Sequence, residues 1–128
     1  MIRWLGFAVL VVIIFVAVSL LSSSEKSESE RRFQATLADY RSAVKPGTSR
    51  AQVESYLQKQ NMPFEQACCE QQAVSDRAKL GEQPRNVFCQ PWKVALDFQF
   101  KSSESPSNVA RDSDILTGID LHREGVCF

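Results

Sequence analysis

The sequence predicts an α+β fold, in which an N-terminal transmembrane helix precedes two short helices packed on an antiparallel β-sheet, in the order ααβββ. Three patterns predict it: an uncharged apolar run near the start, apolar residues at helical spacing between residues 31 and 60, and strict apolar–polar alternation over residues 93–101. We therefore divide the chain of 128 residues into an anchor or signal peptide (1–21), a polar tether (22–30) and one α+β domain (31–128).

The apolar run Trp4–Leu21 contains 18 residues without a charge. At about 1.5 Å per residue, a helix of this length reaches roughly 27 Å, enough to cross the hydrocarbon core of a bilayer. A cleaved secretory signal is the alternative, because residues 17–19 and 22–24 offer small side chains at the cleavage positions. We expect an uncleaved anchor, because a signal core typically has only about 7 to 15 apolar residues.

Charges on either side of the run predict its orientation. Arg3 precedes it, whereas Glu25, Lys26, Glu28 and Glu30 follow it. The positive-inside bias then places the N-terminus in the cytoplasm. We expect a single-pass protein of the inner (cell) membrane with its C-terminal domain outside the cytoplasm. Cleavage of the signal would instead give a secreted protein.

The charge balance argues against nucleic acid as a partner. The chain has 15 basic and 15 acidic residues and a formal net charge of zero, so it offers no dominant basic field. We expect the basic residues to be solvated at the surface, because they are scattered along the sequence. They are Arg41, Arg50, Lys59, Arg77, Arg85, Lys101 and Arg111.

Two short helices are predicted after the tether. Residues 31–44 repeat apolar side chains on one face, and Lys45-Pro46-Gly47 ends that helix. Ser49 is the predicted N-cap of a second helix, with Gln52 completing a capping box and the helix ending near residues 60–61. Tyr40 and Tyr56 lie on the apolar faces, so we expect them to pack in the core.

The rest of the chain predicts strands and loops. Residues 64–69 are either a short strand or irregular, and residues 73–85 are predicted to be a loop with at most a short edge strand. Residues 93–101 give the strongest strand pattern, and residues 117–123 form a final strand. We expect a mobile loop at 102–114.

Four cysteines follow the apolar run: Cys68, Cys69, Cys89 and Cys127. In an oxidising compartment an even count predicts two disulfides. Because a bond between adjacent cysteines strains the intervening peptide, we expect Cys68 and Cys69 each to find a distant partner, one Cys89 and the other Cys127. Free buried thiols are the alternative. A zinc site is disfavoured by the single histidine and the absence of a C-x-x-C spacing.

The segment Lys45-Pro46-Gly47-Thr48-Ser49-Arg50-Ala51-Gln52-Val53-Glu54-Ser55-Tyr56-Leu57 resembles the K-x-G-M-T-K-x-Q-V-x-x-L-L-G-x-P motif of the SmpA/OmlA lipoproteins, the outer-membrane assembly lipoprotein E group. That group shares its ααβββ unit with β-lactamase inhibitory protein. The resemblance covers about 15 residues and implies the same fold. Thr48 replaces the usual Met, Gln58 replaces the Gly, and the lipidated Cys is missing.

We find little in the sequence that points to catalysis. His122 is the sole histidine, and Cys89 with His122 is the one conceivable thiol–base pair. Asp112 and Asp114 lack the Gly and Glu of a calcium loop, so we expect them to cap a loop or strand. The sequence therefore predicts no enzyme, no metal and no cofactor.

The expected function is a membrane-tethered binding or scaffold domain of the bacterial cell envelope. Its partners would be the bilayer, through residues 4–21, and an envelope protein. The hypothetical contact surface joins Trp92 to the outward face of the main strand, although we favour a position in which Trp92 covers the core edge beside a disulfide. The outward residues are Lys93, Asp97, Gln99 and Lys101. The alternatives are an inhibitor of an extracellular enzyme, which the shared fold suggests, and a thiol-dependent enzyme.

Overall fold

The computed structural model describes residues 2–68, 74–104 and 108–128. Two helices, α1 (Ile2–Ala43) and α2 (Arg50–Lys59), precede four strands, β1 (Phe64–Ala67), β2 (Ser75–Gln83), β3 (Trp92–Lys101) and β4 (Ile115–Glu124). The strands form one sheet in the order β1-β2-β3-β4, with every neighbouring pair antiparallel. The predicted α+β class is confirmed.

Helix α1 is continuous from the apolar run into the domain. The apolar side chains from Val9 to Leu21 are exposed to solvent, and this is the helix among the described residues that is long and apolar enough to cross a membrane. A signal sequence near the N-terminus meets the same criterion of length and composition.

The polar tether predicted at 22–30 is helical and belongs to α1. Side chains one turn apart support the helix here. Arg32 pairs with Glu28, and Gln34 Nε2 donates to Glu30 Oε1 over 2.9 Å. Such i,i+4 pairs stabilise a polar helix that has little apolar surface to bury. The first predicted short helix is therefore the C-terminal part of α1.

The turn between α1 and α2 follows the sequence prediction. Helix α1 ends at Ala43, and Gly47 adopts a positive φ of 94°, a conformation that glycine allows without steric cost. Ser49 is the N-cap of α2, and its backbone N–H donates to Gln52 Oε1 over 3.3 Å. The predicted capping residues thus start α2 as expected.

Strand β2 corrects the predicted loop at 73–85. Residues 75–83 form a nine-residue strand inside the sheet, between β1 and β3. The sequence pattern did not predict this strand, because it contains several polar residues and Gly81. Asp76 points into the protein interior, and Gly81 lies at a bulge with a φ of 152°, a backbone conformation that disfavours a side chain.

The hydrophobic core lies between the helices and one face of the sheet. Tyr40 packs edge-to-face on Tyr56 and on Phe98, with ring centroids 5.9 and 6.0 Å apart. The predicted core role of both tyrosines is confirmed. The buried cluster comprises Leu37, Tyr40, Val44, Val53, Leu57, Ala78, Leu96, Phe98, Phe100, Leu116 and Ile119.

Candidate functional site

The face of the sheet that turns away from both helices is the candidate functional site, and we call it the outer face. Strand β3 alternates as predicted: Val94, Leu96, Phe98 and Phe100 are buried in the core, and the side chains between them point outward. The strand register places neighbouring side chains on the same face. The outer-face residues are Arg77, Lys79, Lys93, Ala95, Asp97, Gln99, Lys101, Asp120, His122 and Glu124.

A shallow cavity of about 470 Å³ opens on the outer face, beside the edge strand β1. Its walls come from β1 and from charged residues of the other strands, including Lys79, Lys93 and Glu124. Ala95 and His122 lie opposite each other in the register of β3 and β4, and both line the cavity. The small side chain of Ala95 leaves room between longer neighbours. Cavities of this size accommodate a short peptide segment or a small molecule.

Hydrogen bonds hold the polar centre of the outer face. Asp97 Oδ1 accepts from Ser75 Oγ over 2.8 Å and from Arg77 Nε over 3.1 Å. Gln99 Nε2 lies 3.4 Å from Asp120 Oδ2. Asp97 and Gln99 are thus engaged with neighbours, whereas Lys93 and Lys101 are exposed. Of the predicted contact residues, the two lysines are the ones most accessible to a partner.

Trp92 does not share the outer face with Lys93. Successive strand residues point to opposite faces, and Trp92 pairs with Gln83 at the end of β2. Its ring lies under the guanidinium of Arg85, 3.7 Å from Cζ to the ring centroid. A Cβ on Gly125 would lie only 3.0 Å from Trp92 Cε3, so a larger residue there would require the indole ring to shift. Trp92 covers the sheet end beside a disulfide, which is the position that the sequence analysis favoured.

That disulfide joins Cys89 to Cys127 and closes a sequence separation of 38 residues. The prediction that Cys68 and Cys69 would take these two partners is therefore wrong. The two bonded residues form an antiparallel bridge, with Cα atoms 4.0 Å apart, which continues the β3–β4 pairing beyond the strand ends. Cys68 is also disulfide-bonded, and Cys69 lies outside the described residues.

The proposed thiol–base pair does not form. Cys89 is oxidised in its bond to Cys127, so it offers no thiolate to His122, which lines the outer-face cavity. Among the described residues, no three His, Cys, Asp or Glu side chains meet in an arrangement that could hold a metal ion.

A buried ionic cluster replaces the predicted solvated Arg50. This residue opens α2 and is only 1% exposed, and its guanidinium lies 4.0 Å from the ring centroid of Phe100. Nη1 is 2.5 Å from Asp76 Oδ1, and Nη2 is 3.2 Å from Asp114 Oδ2. The prediction was wrong because spacing along the sequence does not reveal that two distant carboxylates converge on this arginine.

Asp76 and the turn at residues 112–114 have different roles in this cluster: Asp76 supplies a buried carboxyl group, and the turn supplies backbone carbonyl groups. Burial raises the pKa of Asp76 to about 7, although the Arg50 charge opposes the shift. The carbonyl oxygens of Asp112 and Asp114 accept from the first N–H groups of α2, with Arg50 N 2.8 Å from Asp114 O. The predicted capping of a loop is seen for Asp114, whose Oδ2 accepts from Arg111 N over 2.9 Å in the turn before β4. The cluster is closed to solvent and ties α2 to β2 and β4.

Sequence reasoning missed an exposed apolar cluster beside the Cys89–Cys127 bond. Val87 and Phe88 are 98% and 74% exposed, and Val126 and Phe128 are 61% and 93% exposed. The available signal was that each apolar pair flanks a cysteine. Pairing these two cysteines would have predicted that the four residues lie at the same end of the sheet.

Helix α1 contacts the same end of the sheet. Both carboxylate oxygens of Glu30 lie 2.8 Å from Arg123 Nη2, and Gln83 Nε2 donates to Glu30 Oε2 over 3.0 Å. A hydrogen bond from Gln34 lowers the pKa of Glu30, an effect that burial opposes and that Gln83 and Arg123 reinforce. The ionised carboxylate therefore fastens α1 to β2 and β4.

Comparisons with protein-family models, with curated proteins and with solved structures find no match to this chain.

Proposed function

We propose that this chain is a single-pass membrane protein whose extracytoplasmic domain is a non-enzymatic binding or scaffold module of the bacterial cell envelope. The partner is an envelope protein that docks on the outer face of the sheet. The observation that carries the proposal is the arrangement of layers: α1 and α2 both cover one face, and no described element covers the other.

The chemistry of the outer face supports a protein partner. An antiparallel sheet commonly packs one face on its core and leaves the other in water. Here the open face has a concave cavity with basic and acidic residues at its rim, among them Lys79, Lys93 and Glu124. Mixed charges around a recess provide specificity for a complementary surface. Cys89 is oxidised, so it cannot be the nucleophile that the thiol-dependent alternative assigns to it.

The continuity of α1 supports the anchor over a cleaved signal. Both candidate cleavage segments, 17–19 and 22–24, lie inside this helix, whereas a protease needs locally accessible backbone. The helix also continues to Glu30, whose carboxylate is bonded to the domain. The assignment to a bacterial envelope follows from the resemblance of residues 45–57 to the SmpA/OmlA lipoproteins, which remains a prediction.

The test is cross-linking in intact cells followed by purification of the protein under denaturing conditions. Lys79→Glu together with Lys93→Glu reverses two exposed charges at the cavity rim. We expect this variant to lose its cross-linked protein partner and to keep the wild-type melting temperature, because neither lysine is buried.

The matched control is Lys45→Glu together with Lys59→Glu, which makes the same charge change away from the outer face. We expect the control to retain the partner. Equal cross-linking of both variants would contradict a partner site on the outer face. Recovery of the domain without residues 4–21 from the soluble fraction would contradict the anchor.

A further inference from the structure

An exposed apolar cluster caps the end of the β3–β4 ribbon, and we call it the apolar tip. The Cys89–Cys127 bond holds its two halves together, and Phe128 N donates to Phe88 O over 3.0 Å. Gln90 N donates to Val126 O over 2.9 Å on the other side of the bond. The tip consists of Val87, Phe88, Val126 and Phe128.

Four large apolar side chains on a braced turn are unusual on a solvated surface. A disulfide and backbone hydrogen bonds hold the backbone of these residues together, although their side chains are largely exposed. Exposed apolar residues that are gathered in one place, and not scattered singly, mark an interaction site for a protein or a membrane. The position of the tip relative to α1 indicates what covers it.

Two contacts fix the direction of α1 relative to β4. Glu30 contacts Arg123 near the end of β4, and Arg41 Nε donates to Ile119 O, 2.8 Å away, near its middle. The helix and the strand therefore run in opposite directions. Towards its N-terminus, α1 leaves the domain on the side where β4 ends. The chain that follows β4 continues to the apolar tip on that same side.

The β2–β3 connection confirms this placement. Pro84, which follows β2 and leads towards the tip, lines a small surface recess with Glu25, Glu28, Ser29 and Arg32 of α1. The connection thus lies alongside the part of α1 that precedes Glu30.

The tip reaches the level at which the apolar run ends. From Glu30 back to Leu21 there are nine helical residues, about 14 Å at roughly 1.5 Å each. From Arg123 to Phe128 there are five residues, which span at most about 16 Å at roughly 3.3 Å each. The two distances are comparable, so the tip can reach the height of the last apolar residues of α1.

We propose that the apolar tip inserts into the interface of the same bilayer that α1 crosses, at the boundary between headgroups and acyl chains. This proposal rests on the membrane anchor stated under Proposed function. The anchor holds the tip permanently beside the bilayer, so a few apolar side chains suffice for insertion. Trp92 and Arg85, stacked directly behind the tip, provide an aromatic ring and a cation of the kind that membrane interfaces accommodate.

Insertion would give the domain a second point of attachment. Helix α1 is one attachment, and the tip at the end of β3 and β4 is the other. The strands then rise steeply from the membrane, and the outer face is turned sideways into the extracytoplasmic space. The tip thus orients the partner site instead of forming part of it.

The test uses the full chain in vesicles of phosphatidylcholine and phosphatidylglycerol, with part of the phosphatidylcholine brominated near the headgroup end of its acyl chains. Trp4→Phe and Trp92→Phe remove the native fluorophores, and Phe88→Trp places a single reporter in the tip. The matched control has Val109→Trp, a half-exposed position in the β3–β4 connection at the opposite end of the sheet. Flotation and alkaline washing report integration of α1 independently.

We expect brominated lipid to reduce the emission of the reporter at position 88 by roughly half and to leave the reporter at position 109 unchanged. Equal quenching at both positions, or none at position 88 in firmly integrated protein, would overturn the tip proposal and leave the anchor intact. A blue-shifted but unquenched reporter at position 88 would overturn it by showing that protein, such as a second copy, covers the tip. Release of the protein by alkaline washing would overturn both the anchor and the tip proposal.

Discussion

Glu30 and Arg123 join the long N-terminal helix to the last strand: both oxygens of the Glu30 carboxylate lie 2.8 Å from Arg123 Nη2. Because α1 is continuous through Glu30, this contact transmits the orientation of the apolar run to the whole domain. Glu30 and Arg123 are 93 residues apart in the chain, so only the fold brings them together.

Glu30→Gln and Arg123→Gln, combined in a double-mutant cycle, should show a coupling free energy of about 0.5 to 1 kcal/mol. The value is modest because the two side chains are 39% and 30% exposed and water screens the pair. Denaturant unfolding of the chain in detergent micelles measures it. We also expect faster amide hydrogen exchange at residues 24–36 in both single variants. Strict additivity with unchanged exchange would show that the pair does not fasten α1.

The same contact should weaken in acid. The hydrogen bond from Gln34, together with those from Gln83 and Arg123, keeps the pKa of Glu30 below its usual range. Its stabilisation is therefore fully present above the unfolded-state pKa and is lost as the pH falls through the lowered folded-state pKa. Exchange at residues 24–36 should accelerate in the wild type below about pH 4 and change less in Glu30→Gln. Parallel acid profiles would contradict this role.

Asp76 should give the opposite pH dependence at the other end of the sheet. Burial raises its pKa to about 7, so between the unfolded-state value near 4 and pH 7 the folded protein holds this proton more tightly than the unfolded chain. Stability is therefore greatest at the lower end of that window and falls as the pH rises through about 7. Asp76→Asn should flatten the profile. An unchanged slope in this variant would assign the dependence to another group.

Arg50→Met should destabilise the domain by about 3 to 5 kcal/mol, because it leaves two buried carboxylates without their cation. The matched control is Arg32→Met, which removes an arginine that pairs with Glu28 on the exposed surface of α1. We expect the control to cost less than about 1 kcal/mol in the same unfolding experiment. Similar losses in the two variants would mean that burial does not determine the importance of Arg50.

Cys89→Ser together with Cys127→Ser should lower the free energy of unfolding by about 4 kcal/mol, from the entropy of the loop of 38 residues that the bond closes. Because the bond holds the two halves of the apolar tip, we expect lipid quenching of the reporter at position 88 to fall in this variant. Retained quenching would show that backbone pairing alone organises the tip.

The sequence predicted the elements whose local pattern agrees with their environment. Strand β3 alternates perfectly between core and outer face, and α2 begins at a capping serine. Strand β2 was missed because one of its buried positions is occupied by Asp76, whose partner Arg50 comes from another element. A buried ion pair has no local signature, since each partner alone has the character of a surface residue.

The outer face was partly predictable and the tip was not. The alternation of β3 identified Lys93 and Lys101 as outward residues. The strand register was needed to identify the residues of β2 and β4 that share the outer face, and to show that Trp92 does not lie on it. The tip depends on which cysteines pair, and sequence spacing does not determine connectivity.

The central claim is that α1 is an uncleaved anchor continuous with the domain, and intact mass spectrometry of the protein from alkaline-washed membranes tests it most directly. We predict a membrane-bound species whose mass includes residues 4–21. A species that begins after Ser19 or Ser24, recovered in the soluble fraction, would contradict the anchor and make this a secreted protein.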